Sequence, residues 1–479
     1  MANVSVNHLT FSYSTAQEKL PPVLNDVTLT FSDRHFSLLI GPSGTGKSTL
    51  LKLLARLYPS FRGTLQSGTI AYDDQSLTDM PADTVSKRVA LLFQDPDQQF
   101  TMDTVTNELI FVLENLQVDP AKMDAIIANA LAFVGITQLR DRTLATLSGG
   151  EKQKVALATI VAMDSDVILL DEPFASIDTS SRQHLIERLV ALRDEAGKTI
   201  ILADHDLSDY QNVVNDVFEL NPKTKQISRL SESEASKQFS RFASAKTSFN
   251  VPLPKTTTPS ILNLQKVQLT TGDRTLMTVD KLNIPAGKIT LLTGENGAGK
   301  STLFKALTRL KTYQGQIIYE THDIQKLKAR RYALQVGLMF QEAQAQFLGI
   351  TVAEELAISK KASHHPEFYS DQKIAEMLAA INLSNRGDQV VYTLSEGQKK
   401  KLQLLGMLIT APPVLLLDEP LKGLDLDSVA TVAQFLREAS RQLDETLIVI
   451  SHQLTGLTQV ADYHLQLANQ TLTYQEGLS

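Results

Sequence analysis

Residues 41–48 read GPSGTGKS, and residues 294–301 read GENGAGKS. An apolar run precedes each, FSLLI at 36–40 and KITLLT at 288–293, and helix-compatible sequence follows each. The order is strand, GxxxxGK with serine, helix. Gly41, Gly44 and Gly46 let successive backbone N–H groups turn toward one anion, and the following helix adds its positive end. Lys47 can reach β- and γ-phosphates, and the Ser48 hydroxyl can ligate Mg²⁺. Ser43 and Thr49 complete that binding set. Gly294, Asn296, Gly297, Gly299, Lys300, Ser301 and Thr302 repeat it.

From these cradles the repeat runs outward. Gln94, LSGGE at 147–151, VILLD at 167–171, Glu172, Asp178 and His205 follow the first. Gln341, LSEGQ at 394–398, VLLLD at 414–418, Glu419, Asp425 and His452 follow the second in the same order. Lys47 and Lys300 stand 253 positions apart, whereas every later pair stands 247 apart. Six residues are therefore missing from the second copy, between its cradle and Gln341. The chain holds one domain twice. The expected domains are residues 1–230 and 261–479, joined by a solvated linker at 231–260 that is rich in Ser, Thr, Lys and Pro. Strands alternating with helices predict a parallel α/β sheet in each copy, with β-rich sequence before it and helical spacing at about 104–145 and 352–391.

Composition narrows the class. A hydrophobic share of 43% and a charged share of 21% are ordinary for a globular protein. No apolar stretch approaches the ~18 residues of a membrane span. Residues 1–7 lack the basic start and apolar core of a signal peptide, so export is not expected. The absence of cysteine excludes disulfides and thiolate metal sites. A net charge of −7 argues against a general nucleic-acid binder.

Asp171 and Asp418 end apolar runs, which sets each carboxylate at the C-terminal edge of a buried strand beside the cradle. There an Asp can hold a Mg²⁺ shell. Glu172 and Glu419 come next and suit a general base for an attacking water. An acidic pair at a strand end could instead cap the next helix.

In these elements the chain resembles two ATP-binding-cassette (ABC) ATPase domains fused in one polypeptide, over everything but the linker. The resemblance implies an α/β fold of tandem P-loop NTPase domains. Each would have a RecA-like parallel-sheet core, an antiparallel β subdomain and a helical signature subdomain. It implies ATP and Mg²⁺ as cofactors. LSGGE and LSEGQ resemble the ABC signature, in which Ser148, Gly149 and Gly150, or Ser395, Gly397 and Gln398, meet the γ-phosphate of ATP held by the opposite domain. The lobes would then form an intramolecular pseudo-dimer. Glu151 stands where the signature has Gln, and Glu396 where it has Gly.

His205 and His452, each 33 residues after its Glu, match the switch histidines. Gln94 and Gln341 match residues that contact both metal and water, and Asp178 and Asp425 match the D-loop. Tyr13 matches the aromatic residue that stacks on adenine, whereas its counterpart near Thr271 is not aromatic. The second site is therefore expected to bind ATP more weakly or with less base specificity.

The pattern Q-x-x-x-x-Q-F-x-x-x-T-V-x-x-E-L begins at Gln94 and again at Gln341. It is similar to ATPase subunits of energy-coupling-factor and cobalt-type importers. That likeness implies a peripheral place on the cytoplasmic face of a bacterial membrane. Partners would be a transmembrane T subunit and a substrate-choosing S subunit. Gln98, Gln99, Phe100, Gln346 and Phe347 would line the T-subunit contact, or the two Phe residues would serve as core. Twin-cassette members of this group suggest vitamin or transition-metal uptake, such as a thiamine precursor. The alternatives are an ATPase of another ABC importer or exporter, or a soluble ABC ATPase acting on ribosomes or DNA.

Overall fold

A computed structural model of the chain describes residues 3–13, 20–175, 177, 179–244, 250–272, 274–295, 297–451 and 456–477. It divides into two compact units, Met1–Ala243 and Ser244–Ser479.

The apolar runs flanking the cradles form the central strands. In the first unit, Phe36–Ile40, Val167–Asp171 and Thr199–Ala203 are buried along their whole length. That is the pattern of parallel strands covered on both faces. Phe36–Ile40 pairs in parallel with Thr199–Ala203 and with Asp216–Leu220, while Val167–Asp171 pairs with Thr199–Ala203 and Val89–Leu92. Ile227–Arg229 closes the six-stranded sheet antiparallel at the edge. A second sheet of four antiparallel strands is built on Val4–Ser12, between Leu24–Phe31 and Thr64–Tyr72.

Alternation along the central strands divides the core. Leu39, Val167, Leu169, Ile201 and Ala203 pack with the antiparallel sheet and with Leu50, Leu51, Leu53 and Leu54 of the helix Lys47–Leu54. Leu38, Ile40, Ile168, Leu170, Ile200 and Leu202 point the other way, toward the helices Val105–Asn115, Pro120–Phe133 and Gly149–Ala162. Successive strand side chains face opposite sides, so one run of five residues serves two cores. The second unit repeats the scheme with Ile289–Gly294, Val414–Asp418 and Thr446–Ile450 at the centre and Ser260–Thr271 in its antiparallel sheet.

One expectation is corrected. Residues read as a solvated linker include the helix Glu232–Ser244. Ser231 and Glu234 cap it reciprocally: Ser231 N–H donates to Glu234 Oε2 at 2.8 Å, and Glu234 N–H to Ser231 Oγ at 3.4 Å. Phe239 is only 6% exposed and packs on the helical core of the first unit, with Ala235 beside it. Farther on, Val251 is buried in the core of the second unit, its N–H bonded to the Glu476 carbonyl at 3.0 Å.

Candidate active site

Each cradle opens where a buried strand stops. Gly41 and Gly294 have φ of 146° and 152°. A Cβ on either would stand 2.8 Å from the Leu220 carbonyl oxygen or 2.5 Å from that of Leu467, so only glycine lets the chain pass so close to the neighbouring strand. The lysines then fold over the loop. Lys47 Nζ donates to the carbonyls of Gly41 at 2.7 Å and Pro42 at 3.2 Å, and Lys300 Nζ to those of Gly294 at 2.6 Å and Glu295 at 2.8 Å. Both ammonium groups thus sit at the cradle, ahead of a helix N-terminus that favours anions. Burial lowers the pKa of Lys300 against the opposing pull of Glu419 and Asp418.

The strand-end carboxylates lie beside this loop. Asp171 is buried and hydrogen-bonded to Ser48; burial first, and then Glu172, push its pKa up to about 7. Its Oδ1 is buried without a hydrogen-bond partner among the described residues. Asp418 is paired with Ser301 in the same way, and burial raises its pKa too. A buried, under-coordinated carboxylate oxygen next to a serine hydroxyl and a phosphate cradle fits Mg²⁺, which takes one or two protein oxygens and completes its shell from phosphate and water. Ser48 with Asp171, and Ser301 with Asp418, would hold it.

Glu172 and Glu419 leave the strand at φ of 47° and 51°. Their N–H groups still donate to the next strand, to the Ala203 carbonyl at 2.9 Å and the Ile450 carbonyl at 3.0 Å. A left-handed Glu at both strand ends costs about 1 kcal/mol each, strain of the kind found where a side chain must be aimed. Gln94 Nε2 donates to Glu172 Oε2 at 2.7 Å, and His205 Nδ1 lies 3.2 Å from Glu172 Oε1. Burial disfavours charge on both, but their mutual attraction outweighs it. The Glu172 pKa is lowered, and that of His205 is pushed up to about 9. The first unit therefore gathers Lys47, Ser48, Gln94, Asp171, Glu172 and His205 around one point.

Behind His205 stands a buried group that the sequence reading did not single out. Asp204 Oδ1 accepts from the N–H groups of His205 at 2.7 Å and Asp206 at 3.0 Å, and Tyr210 donates to Asp204 Oδ2 at 2.8 Å. Arg182 reaches the same carboxylate at 3.6 Å. In the second unit the places of Arg182 and Tyr210 fall to Val429 and Leu457, both buried. The adjacency of Asp204 to His205 was the one available signal.

Tyr13 touches the cradle through its hydroxyl, 2.8 Å from Thr49 Oγ1, and the Arg62 guanidinium lies 5.0 Å from its ring centre. The serines of the two signatures cap helices. Ser148 N–H donates to Glu151 Oε2 at 2.8 Å and its hydroxyl to the same oxygen at 2.7 Å. Ser395 N–H donates to Gln398 Oε1 at 3.0 Å. Gly149 is exposed, Gly150 is half-buried and Gly397 is buried at these helix starts. His452, Asp178 and Asn296 lie outside the described residues.

The repeated Q-F pattern is corrected in part. Phe347 is 7% exposed within the helical core, and Phe100 packs against the corresponding one. Gln99 and Gln346 turn inward: each Oε1 accepts a backbone N–H, from Phe93 at 3.3 Å and Phe340 at 3.1 Å. The Glu of the pattern is a brace as well. Glu108 Oε2 accepts from the N–H groups of Thr101 and Met102, and Glu355 Oε2 from those of Leu348 and Gly349, at 2.7–2.9 Å. What this frame displays in the second unit is Leu348, 78% exposed, and Ile350, 64% exposed. Exposed Val390 and Tyr392 lie alongside, for Val391 N–H bonds the Ile350 carbonyl at 2.9 Å and Thr351 bridges Val390.

A family profile described as "ABC transporter" matches residues 24–175 and 278–422. The chain belongs to the ABC transporter family. A Bacillus subtilis (strain 168) protein provisionally named an HMP/thiamine import ATP-binding protein, YkoD, is 30% identical over 98% of this chain and 91% of its own length. A Methanosarcina mazei protein provisionally named an ABC transporter ATP-binding protein is 27% identical over 96% of this chain and 86% of its own. Among solved structures, a chain of the ribosome-bound archaeal Pelota and ABCE1 assembly superposes with a TM-score of 0.71 at 19% identity, covering 98% of this chain and 78% of that one. The RNase-L Inhibitor gives 0.64 at 20%, covering 96% and 87%. At those identities the likeness is one of fold: two tandem ABC ATPase domains. Domains of this family bind and hydrolyse ATP. No described helix is long and apolar enough to cross a membrane.

Proposed function

We propose that this chain is the ATP-hydrolysing subunit of a membrane importer of the energy-coupling-factor type, working on a vitamin or metal-ion cargo. The observation that carries the reading is the braced loop after each Gln, whose second copy presents Leu348 and Ile350 to solvent beside Val390 and Tyr392. Contiguous apolar side chains held outward by buried Glu braces are a contact surface for another apolar element. The import role in the name of the Bacillus subtilis relative supports the same reading.

In this mechanism Lys47 and Lys300 hold the terminal phosphates of ATP, and Glu172 and Glu419 orient the attacking water and accept its proton. Gln94 fixes the Glu172 carboxylate, and His205 keeps it ionised. Mg²⁺, when bound, would neutralise charge developing on the phosphate oxygens. Tyr13 supports the base of the nucleotide, and Ser148 and Ser395, each at the N-terminus of a signature helix, suit contact with a γ-phosphate. The linkage to a T and an S subunit at the cytoplasmic face turns that hydrolysis into uptake.

The test is Leu348→Asp combined with Ile350→Asp, followed by membrane fractionation of the source cell. The wild-type chain is expected to sediment with the membrane and the variant to move to the supernatant, with its thermal unfolding midpoint unchanged. A folded variant that stays with the membrane contradicts the proposed contact.

A further inference from the structure

The six residues that the second unit lacks can be placed. Leu57 corresponds to Leu310 by the spacing of the cradles, and Ser67 to Gln314 by the spacing of every later element. Thr10 pairs with Ser67, and Gln268 with Gln314, in the two antiparallel sheets. Ten positions lead from Leu57 to Ser67 and four from Leu310 to Gln314, so the missing residues belong to the stretch that carries Tyr58 and Arg62. The second unit also has no aromatic residue near Thr271, where Tyr13 has its counterpart.

In the first unit this stretch is fixed against Tyr13. Phe11 pairs with Leu65 and Ser12 with Thr64, which brings Arg62 opposite the end of the strand that leads into Tyr13. Gly63 lies at the approach with φ of 83°. A Cβ there would overlap the Phe11 ring and stand 2.8 Å from the Ser12 carbonyl oxygen, so glycine lets the two segments meet. The Phe11 and Tyr58 rings stack at 5.7 Å, and the Tyr13 ring stands nearly perpendicular to them at 5.4 and 5.9 Å. Its hydroxyl lies 2.8 Å from Thr49 Oγ1 on the cradle helix. The Tyr13 ring is thus held at three points. Arg62 is exposed and lays its guanidinium over that ring, 5.0 Å from the centre.

A guanidinium is planar, delocalised and weakly hydrated, and it stacks on aromatic faces. A purine offers it the same kind of face that Tyr13 does. An exposed arginine can swing outward by the thickness of one ring, whereas the anchored tyrosine cannot.

We propose that Arg62 is a base-binding residue of the first cradle: the purine of the nucleotide enters between the Tyr13 ring and the Arg62 guanidinium, which moves outward and covers the other face of the base. This rests on the reading of Tyr13 as the support of the base.

Isothermal titration of the full-length protein with Mg²⁺ and either ADP or inorganic pyrophosphate tests it. Lys300→Ala is present throughout, to weaken the second cradle. ADP carries the base and is not hydrolysed, and pyrophosphate carries phosphates alone. Arg62→Ala is expected to weaken ADP binding about fivefold or more and to leave pyrophosphate binding within about twofold. Tyr13→Leu should do the same, with Tyr13→Met in its place should leucine disturb folding. The two changes together should cost less than the product of the single losses, because both act on one base. Unchanged ADP affinity in Arg62→Ala, beside a loss in Tyr13→Leu, overturns the inference alone. An equal loss for pyrophosphate also overturns it, since the guanidinium would then serve the phosphates. Unchanged ADP affinity in folded Tyr13 variants defeats the reading of Tyr13, and this inference falls with it.

Discussion

Glu445 is a buried acid in the second unit. It is 2% exposed, and both carboxylate oxygens lack a hydrogen-bond partner among the described residues. Burial alone raises its pKa well above the ordinary 4.5. The folded state thus keeps a proton that the unfolded state releases above 4.5. The stability tied to that proton is present below 4.5 and drains away as pH rises toward the folded value. Glu445→Gln is expected to raise the unfolding free energy of the second unit, by roughly 1–2 kcal/mol at pH 8 and by much less at pH 5. Calorimetry at the two pH values checks this; a gain equal at both, or a loss, would contradict it. Nothing in the sequence marks Glu445 as buried, since it stands between the largely polar SRQLD at 440–444 and a strand, where its first-copy counterpart is Lys198. Lys400, 6% exposed on the signature helix, was illegible for a related reason: lysine triplets read as solvated faces, and only the fold turns this one inward. The cradle and strand-end residues were legible because their chemistry requires fixed types at fixed spacing.

Among the elements, the strands and the helices after each cradle follow from apolar runs ended by glycine or Asp-Glu. The helix Glu232–Ser244 did not, although its sequence carried two cues. Ser231 and Glu234 have capping-box spacing, and Phe239 and Phe242 share a helix face with Ala235. Ser, Lys and Thr content outweighed those cues until packing decided the matter. Because Phe239 is buried against the first unit, Phe239→Ala should destabilise that unit by about 3 kcal/mol and leave the second transition in place. Two-transition denaturant unfolding reads this directly, and a variant with the wild-type first transition would show the helix to be dispensable. The loop after each Gln teaches the converse. Its motif was visible in sequence, but its Gln and Glu proved to be internal braces, and the outward residues Leu348 and Ile350 occupy the variable places of the pattern.

For the whole molecule, duplication explains why both units share one strand order and one left-handed Glu, while divergence has altered the charges around it. Val429 and Leu457 replace the ionic group behind His205, and Lys400 and Lys422 replace neutral neighbours of the acidic pair. The chain keeps both cradles while changing what surrounds the carboxylates. All of this depends on Glu172 and Glu419 acting as the bases. The most direct measurement is therefore steady-state ATP hydrolysis and ATP binding by the Glu172→Gln, Glu419→Gln double variant. The account predicts ATP binding retained and turnover reduced by about 100-fold or more. Turnover within a few-fold of wild type in a folded, ATP-binding double variant would contradict it.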